Sequence, residues 1–498
     1  MKKRNFVLMA LGLLISMSMW SQKEADFYKS PVNMGVYKNL VKDYQANVTD
    51  KNDDSEVLQR AIDEVSALSN GGRIFLPAGK YFLANVNLKS NVHLKVSPDA
   101  IIYPTERSDD KNYFILGLGD DDKVVENVSI IGREGSFKVD LRVANNKNVT
   151  PFRLKNVDNF RLENIIVKDD ITKFSAIALS LAEYNGKYFS PRNGVLKNAR
   201  ITNAHYGYGL VQAQVGSNIL FTNLSGEGGV TLRLESGYSK LNLLQVEGLF
   251  DIYGRDISCT NGNAALMISP HAQKNGYVNI EGVKAVSCGF AVRIGQGYTR
   301  TAEEELGIKP GWFDSKSIVK TVKATYGTEA QLKSKHFKYM PCDLRNLIAE
   351  DISPDGESYQ GPSIAAVINA SVGNGEGYYN MSVEDVTSIG FKEQDKDVLL
   401  DTDVYDCLKS ANAISPDLQS ELAEDFKVYP NPANEIVNVQ LGKYAESVTS
   451  VLIRSSDGKI VTKQAVNLTE TVSLNISDLE TGIYFIEAGT CVKKLVVQ

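Results

Sequence analysis

The feature that most limits what this chain can fold into is a series of short strand-like runs, punctuated by asparagine, recurring from residue 91 onward. NVHLKVSPDAIIYP starts at 91, NVSIIGREGSF at 127, NFRLENIIVKDD at 159 and NGVLKNARITNAHYGYG at 193. NILFTNLSGEGGVTLRLESG follows at 218 and YVNIEGVKAVSCGFAVRIGQG at 277. No helical periodicity alternates with them, which argues against a βαβ sheet. A quasi-period with variable loops marks a solenoid, in which each repeat buries its apolar face only against its neighbours. Asparagine suits the corners because it tolerates left-handed backbone and hydrogen-bonds locally. The expected class is all-β, a right-handed parallel β-helix over residues 22–395.

An open solenoid end needs a cover. Asp54–Leu68 places Val57, Leu58, Ala61, Ile62, Val65 and Leu68 on one helical face, with Asp53 or Asp54 as N-cap. GGRIFLPAGKYFL follows as a strand pair, so helix and hairpin are expected to cap the core. Thr301–Arg345 breaks the repeat as a polar, partly helical insertion. Residues 396–424 read as a linker, and 425–498 as a small C-terminal β-sandwich. Its YPNPA opening, SSDGK hairpin, GIYF strand and closing KKLVV resemble the C-terminal sorting domain of type IX secretion, which implies export across an outer membrane.

The opening MKKRNFVLMALGLLISMSMW pairs a basic start with an apolar run, as a secretory leader does, so residues 1–21 are expected to be removed near Ser21 or Gln22. No later stretch is apolar for long enough to span a bilayer. The net charge of −6 argues against nucleic-acid binding, so cations for an anionic ligand must be clustered. Five scattered cysteines make neither a disulfide scaffold nor a zinc site, and no metal ligands are assigned. Cys259 and Cys288 are expected to be buried thiols. Asp120–Asp122 offers hard oxygens for calcium, with a solvated acidic loop the plainer reading.

One strand concentrates chemistry. In GGVTLRLESGYSK, residues 228–240, Val230, Leu232 and Leu234 alternate with Thr231, Arg233 and Glu235. The aliphatics then face the core while Arg233 and Glu235 share the outer face. Aligning TLRLESG with ALMISPH and AVRIGQG sets Arg233 beside Met267 and Arg293, Glu235 beside Ser269 and Gly295, and Gly237 beside His271 and Gly297. His271 thereby comes within reach of Glu235. Either Gln212 or Gln214 from the preceding coil can neighbour the acid. Arg233, Arg293, Lys240, Lys274 and Arg300 are candidate grips for oxyanions. Tyr206, Tyr208, Tyr238 and Tyr298 are candidate sugar-stacking rings, and His205 a candidate groove residue.

GGVTLRLES, SPHAQKNGYV and VSCGFAVR, in this order and spacing, resemble the iota-carrageenases of glycoside hydrolase family 82 over most of residues 25–395. The resemblance implies endo-hydrolysis of β-1,4 bonds in a sulfated galactan with inversion. It implies Glu235 as proton donor, Gln212 as holder of a water or anion, and His271 as the active-site histidine, with Arg233, Arg293, Tyr238 and Lys274 binding substrate. No cofactor is required; structural calcium or sodium and chloride are compatible with the family. One departure stands out. The family pattern is Glu-x-Asp with the Asp as base, whereas this strand reads Glu235-Ser236-Gly237. His271, or a carboxylate such as Glu227 or Asp251, is left to activate water. A polysaccharide lyase and a non-catalytic surface binder are the alternatives. The partners expected are the galactan and the type IX machinery, with no nucleic acid, for a monomer secreted or held at the outer cell surface.

Overall fold

The structure, a computed structural model, describes residues 22–407, 427–441, 450–455, 460–466, 471–488 and 491–498. The expected leader and most of the expected linker lie outside the described residues. Residues 1–404 and 405–498 form separate compact units.

In the first unit, 22 strands join one continuous sheet whose paired strands all run parallel, each strand bonding to its counterpart one coil away. Such crossovers are right-handed for the reason strands twist to the right, and the chain winds as a right-handed parallel β-helix. Inward residues stack on themselves from coil to coil. Leu162 lies on Leu196 and Leu196 on Phe221, all fully buried, so one apolar column runs the length of the helix.

The corners are made by asparagine. Asn91, Asn127, Asn159, Asn193 and Asn218 have φ between 53° and 62°. Their side chains form rungs: Asn127 donates to Asn91 at 3.1 Å, Asn159 to Asn127 at 2.7 Å, and Asn218 to Asn193 at 2.8 Å. A second ladder links Asn164, Asn198 and Asn223. The amide meets its neighbour's amide while its backbone takes a conformation that β-branched residues avoid.

The helix Ser55–Ser66 covers the N-terminal end through Leu58, Ala61, Ile62 and Val65. Leu68 falls beyond its last turn and is 45% exposed, so it does not join that face. Asp53 accepts from the Ser55 amide at 2.8 Å, while Asp54 is spent on the Phe82 amide. Buried there, the Asp54 carboxyl is pushed up to about 6.

Two boundaries differ from the sequence reading. Ile318–Thr325, placed in the insertion, is a regular rung between Val278–Val286 and Ser382–Ile389. Val398–Leu399, placed in the linker, pairs with Val367–Ile368 as the last rung of its face. Residues 301–317, with the helix Thr301–Glu305, do leave the coils as expected; the larger excursion lies between Thr325 and Val367. It carries an antiparallel pair, Ala330–Leu332 with Tyr359–Gly361, and two short 3-10 turns. Leu332, Tyr339 and Met340 bury against Phe290, Ile368 and Leu399 of the coils. Gln331 pins it further, accepting from the Gly229 amide at 2.6 Å and donating to the Ala204 carbonyl at 3.2 Å.

In the second unit the named strands pair antiparallel. Lys427–Tyr429, Ile436–Gln440 and Thr471–Asn475 form one sheet; Ile460–Ala465, Ser450–Ser455, Gly482–Ala488 and Cys491–Val497 form the other. Val437, Val439, Ile453, Leu474, Ile486 and Leu495 share its core, as in a small sandwich.

Candidate active site

One face of the β-helix positions the site. Along it, Gln212 registers with Arg233, Arg233 with Met267, and Met267 with Arg293; Glu235 registers with Ser269. Leu232, Leu234, Leu266 and Ile268 point inward and are fully buried, which forces their alternating neighbours outward. Arg233, Glu235, Met267, Ser269 and Arg293 line a cavity of about 450 Å³ together with His271 and Tyr298.

Glu235 is its centre and is only 7% exposed. Its Oε1 lies 3.0 Å from His271 Nε2, and its Oε2 accepts from Gln212 Nε2 at 3.4 Å. Arg233 Nε stands 2.5 Å from Oε2 as an ion pair whose N–H is not aligned on the oxygen. Burial alone would raise this carboxyl. The Arg233 charge and the His271 hydrogen bond outweigh burial and bring it to about 2. The free site therefore holds an ionised acid.

His271 has a left-handed backbone, φ 51°, fixed by its carbonyl accepting from the Tyr298 and Gly311 amides at 3.0 and 2.8 Å. Its ring is 4.7 Å from that of Tyr298. A Cβ at Gly237 would sit 2.7 Å from His271 Nε2. The imidazole thus fills the space that an aspartate at 237 would enter. Its direct contact with Glu235 leaves no room for a water between them, so a water-activating role for His271 does not follow from this geometry.

The other expectations sort by position. Gln212, not Gln214, reaches the acid; the Gln214 carbonyl accepts from the Ser236 hydroxyl. Tyr206, Tyr208 and Tyr298 line the cavity, but Tyr238 lines a neighbouring one with Gln212 and Gln214. Lys274 stands over the Trp312 ring, away from Glu235. Lys240 pairs with Glu183, and Arg300 bonds Ser239 and the Gly237 carbonyl, so neither lines the cavity. Glu227 pairs in register with Thr260 on a different face, and Asp251 is an exposed corner residue. Neither carboxylate can serve Glu235. His205 is buried, its Nδ1 accepting from the Gly207 amide at 3.1 Å. Asp120 faces Arg153 at 3.5 Å and Asp121 faces Lys155 at 2.6 Å, so these two carboxylates of that acidic loop meet protein cations. Among the described residues, no group of three His, Cys, Asp or Glu side chains is arranged to hold a metal. Cys259 and Cys288 are buried free thiols.

Periodicity could not reveal what the excursion adds. Lys333, Lys335, His336, Lys338 and Glu357 all line the Glu235 cavity. The signal present was the basic run KSKHFK, residues 333–338. Lys335 makes no ion pair among the described residues, and burial, with Arg293 and Lys333 nearby, lowers its ammonium. His336 is likewise lowered well below the usual histidine value, first by burial. Glu357 pairs with Lys333 at 3.0 Å. The wall opposite the coils is therefore basic, with one carboxylate in it.

Residues 39–248 match the family described as rhamnogalacturonase A/epimerase, pectate lyase-like, and residues 427–498 match the secretion system C-terminal sorting domain. An iota-carrageenase of Zobellia galactanivorans is 36% identical over 411 residues, covering 71% of this chain and 83% of the relative. Among solved structures, a 1,3-α-1,4-β-D-galactose-4-sulfate-3,6-anhydro-D-galactose-2-sulfate 4 galactohydrolase superposes with a TM-score of 0.74 at 34% identity, over 77% of this chain and 94% of that one. A family GH82 iota-carrageenase from A. fortis, solved without chloride, gives 0.73 at 32% identity, over 78% and 94%.

Proposed function

The chain belongs to the iota-carrageenases of glycoside hydrolase family 82, and from that premise we propose that it is an exported endo-hydrolase of iota-carrageenan in which Glu235 protonates the departing sugar oxygen. The sorting domain directs it to the outside of the cell or its surface. The observation that carries the catalytic assignment is a single buried carboxylate held by Arg233, Gln212 and His271 inside a cavity walled by cations.

A donor must carry a proton, and Glu235 at about 2 does not in the free site. The substrate supplies the remedy. A sulfate ester settling on Arg233 competes for the cation that holds the carboxyl down, and burial then pushes the carboxyl up. Arg293 and Lys335, neither in an ion pair with a carboxylate among the described residues, receive further sulfates. His271 holds Glu235 in place and exchanges a proton with it.

Inversion at the β-1,4 bond needs a base about 6.5–9.5 Å from the acid with water between them. Gly237 has no group to offer. The remaining carboxylate on the cavity wall is Glu357, and we assign it that task, with Lys333 paired to it.

Incubation with iota-, kappa- and lambda-carrageenan tests the reading. New reducing ends from the iota form, without the absorbance of an unsaturated uronide, are expected. Absorbance would mean a lyase, and binding without either product a surface binder. Loss of cleavage in Glu357→Gln with substrate binding retained supports its role as base; undiminished turnover removes it.

A further inference from the structure

A second cavity, of about 590 Å³, lies where the loop 308–315 meets the glycine-rich loop 373–379. Trp312 stands in its wall with 40% of its surface exposed. A lone exposed aromatic is ordinary, but this one is dressed for a particular ligand. Lys274 Nζ lies 5.4 Å from the centre of its ring. Lys309 lines the same cavity, tied only to the exposed Glu376 at 3.1 Å, a pairing that solvent screens. Tyr378 lines the far side and donates to Asp401 at 3.1 Å.

The two cavities share a wall. Gln296 lines the Glu235 cavity while its amide donates to the Glu376 carbonyl at the rim of the second. The backbone of Gly311, beside Trp312, bonds the carbonyl of His271. A polymer leaving the acid across this wall meets an exposed indole with Lys274 over its ring and Lys309 in the same cavity wall. A galactan ring offers an apolar C–H face to stack on an indole, and its sulfate esters suit the ammonium groups of Lys274 and Lys309 close by.

The geometry points to an accessory subsite at Trp312, Lys274 and Lys309 that binds a sulfated galactose unit of the same chain that Glu235 cleaves. This rests on the hydrolase reading above. The subsite holds substrate remote from the scissile bond, so its binding energy appears mainly in KM for long chains.

The chain has two tryptophans, Trp20 and Trp312, so the difference in emission between the protein and its Trp312→Phe variant isolates Trp312. Titrating a Glu235→Gln protein, and the same protein carrying Trp312→Phe, with iota-carrageenan oligosaccharides of increasing length should shift the Trp312 emission, with midpoints falling as length grows. Trp312→Ala in the active enzyme should raise KM for polymer about tenfold, and the rise should shrink on the shortest cleavable fragment. Cleavage with a silent Trp312, or an equal KM change at every length, overturns the subsite and leaves the hydrolase reading standing. Absence of both cleavage and binding overturns the two together.

Discussion

The coil wall and the excursion wall of the Glu235 cavity meet the same ligand but are built by opposite means. On the coils, Arg233, Met267 and Arg293 stand in one row and Glu235 beside Ser269 because their aliphatic neighbours must face inward. In the excursion, Lys333, Lys335 and Glu357 are placed by a short antiparallel pair and 3-10 turns that no repeat dictates. The rigid wall carries the acid, and the irregular wall carries much of the charge that receives the polymer. The proton donor is fixed by coil register, whereas the excursion, which no repeat constrains, holds sulfate grips and the proposed base Glu357.

The sharpest test of this division is Glu235→Gln. It should lower turnover by about a thousandfold or more while the protein stays folded and still binds substrate, since general acid catalysis is lost and shape is kept. Reducing-end assays beside binding measurements would show it. Gly237→Ala should follow, with a fall of roughly tenfold, because the new Cβ drives His271 off the acid. Gly237→Asp should exceed Gly237→Ala, since it sets a carboxylate about 6.5–7 Å from Glu235. Equal rates for the two would mean that the ring, not the missing acid, governs this position.

On the other wall, Lys335→Ala should act on KM more than on turnover, by about tenfold or roughly 1.4 kcal/mol, and should flatten the salt dependence of substrate capture. A turnover loss matching that of Glu235→Gln would erase the distinction between the walls. The smallest effect concerns pH. Glu235 is depressed in the folded state, so its contribution to stability is complete above the unfolded carboxylate range near 4.3 and is lost as pH falls toward about 2. The melting-temperature gap between the native protein and Glu235→Gln should therefore be widest above pH 5 and close across that window. A gap that stays constant would place the effect elsewhere.

The same division explains what could be read from the sequence. Glu235, Arg233, Arg293 and His271 were legible because period-two alternation and coil register convert spacing into position. The corner asparagines announced the solenoid for the same reason. Lys274 and Tyr238 were close in sequence to those strands, yet the chain turns after each strand and carries Tyr238 into a neighbouring cavity and Lys274 over the Trp312 ring. Glu227 and Asp251 were attractive only as carboxylates; their faces were set by corners whose placement the pattern did not resolve. Ile318–Thr325 was hidden by the polar residues around it, although its own alternation is that of a rung. Glu357 had no periodic neighbour at all.

Because the imidazole of residue 271 lodges where a side chain at 237 would begin, the two positions form one steric unit. Over evolutionary time neither can be judged alone: a change that is harmless with a bare backbone opposite becomes costly once a side chain has grown there. Lineages of such enzymes would then drift in correlated pairs at this spot, and transplanting one member into another background would misreport its worth.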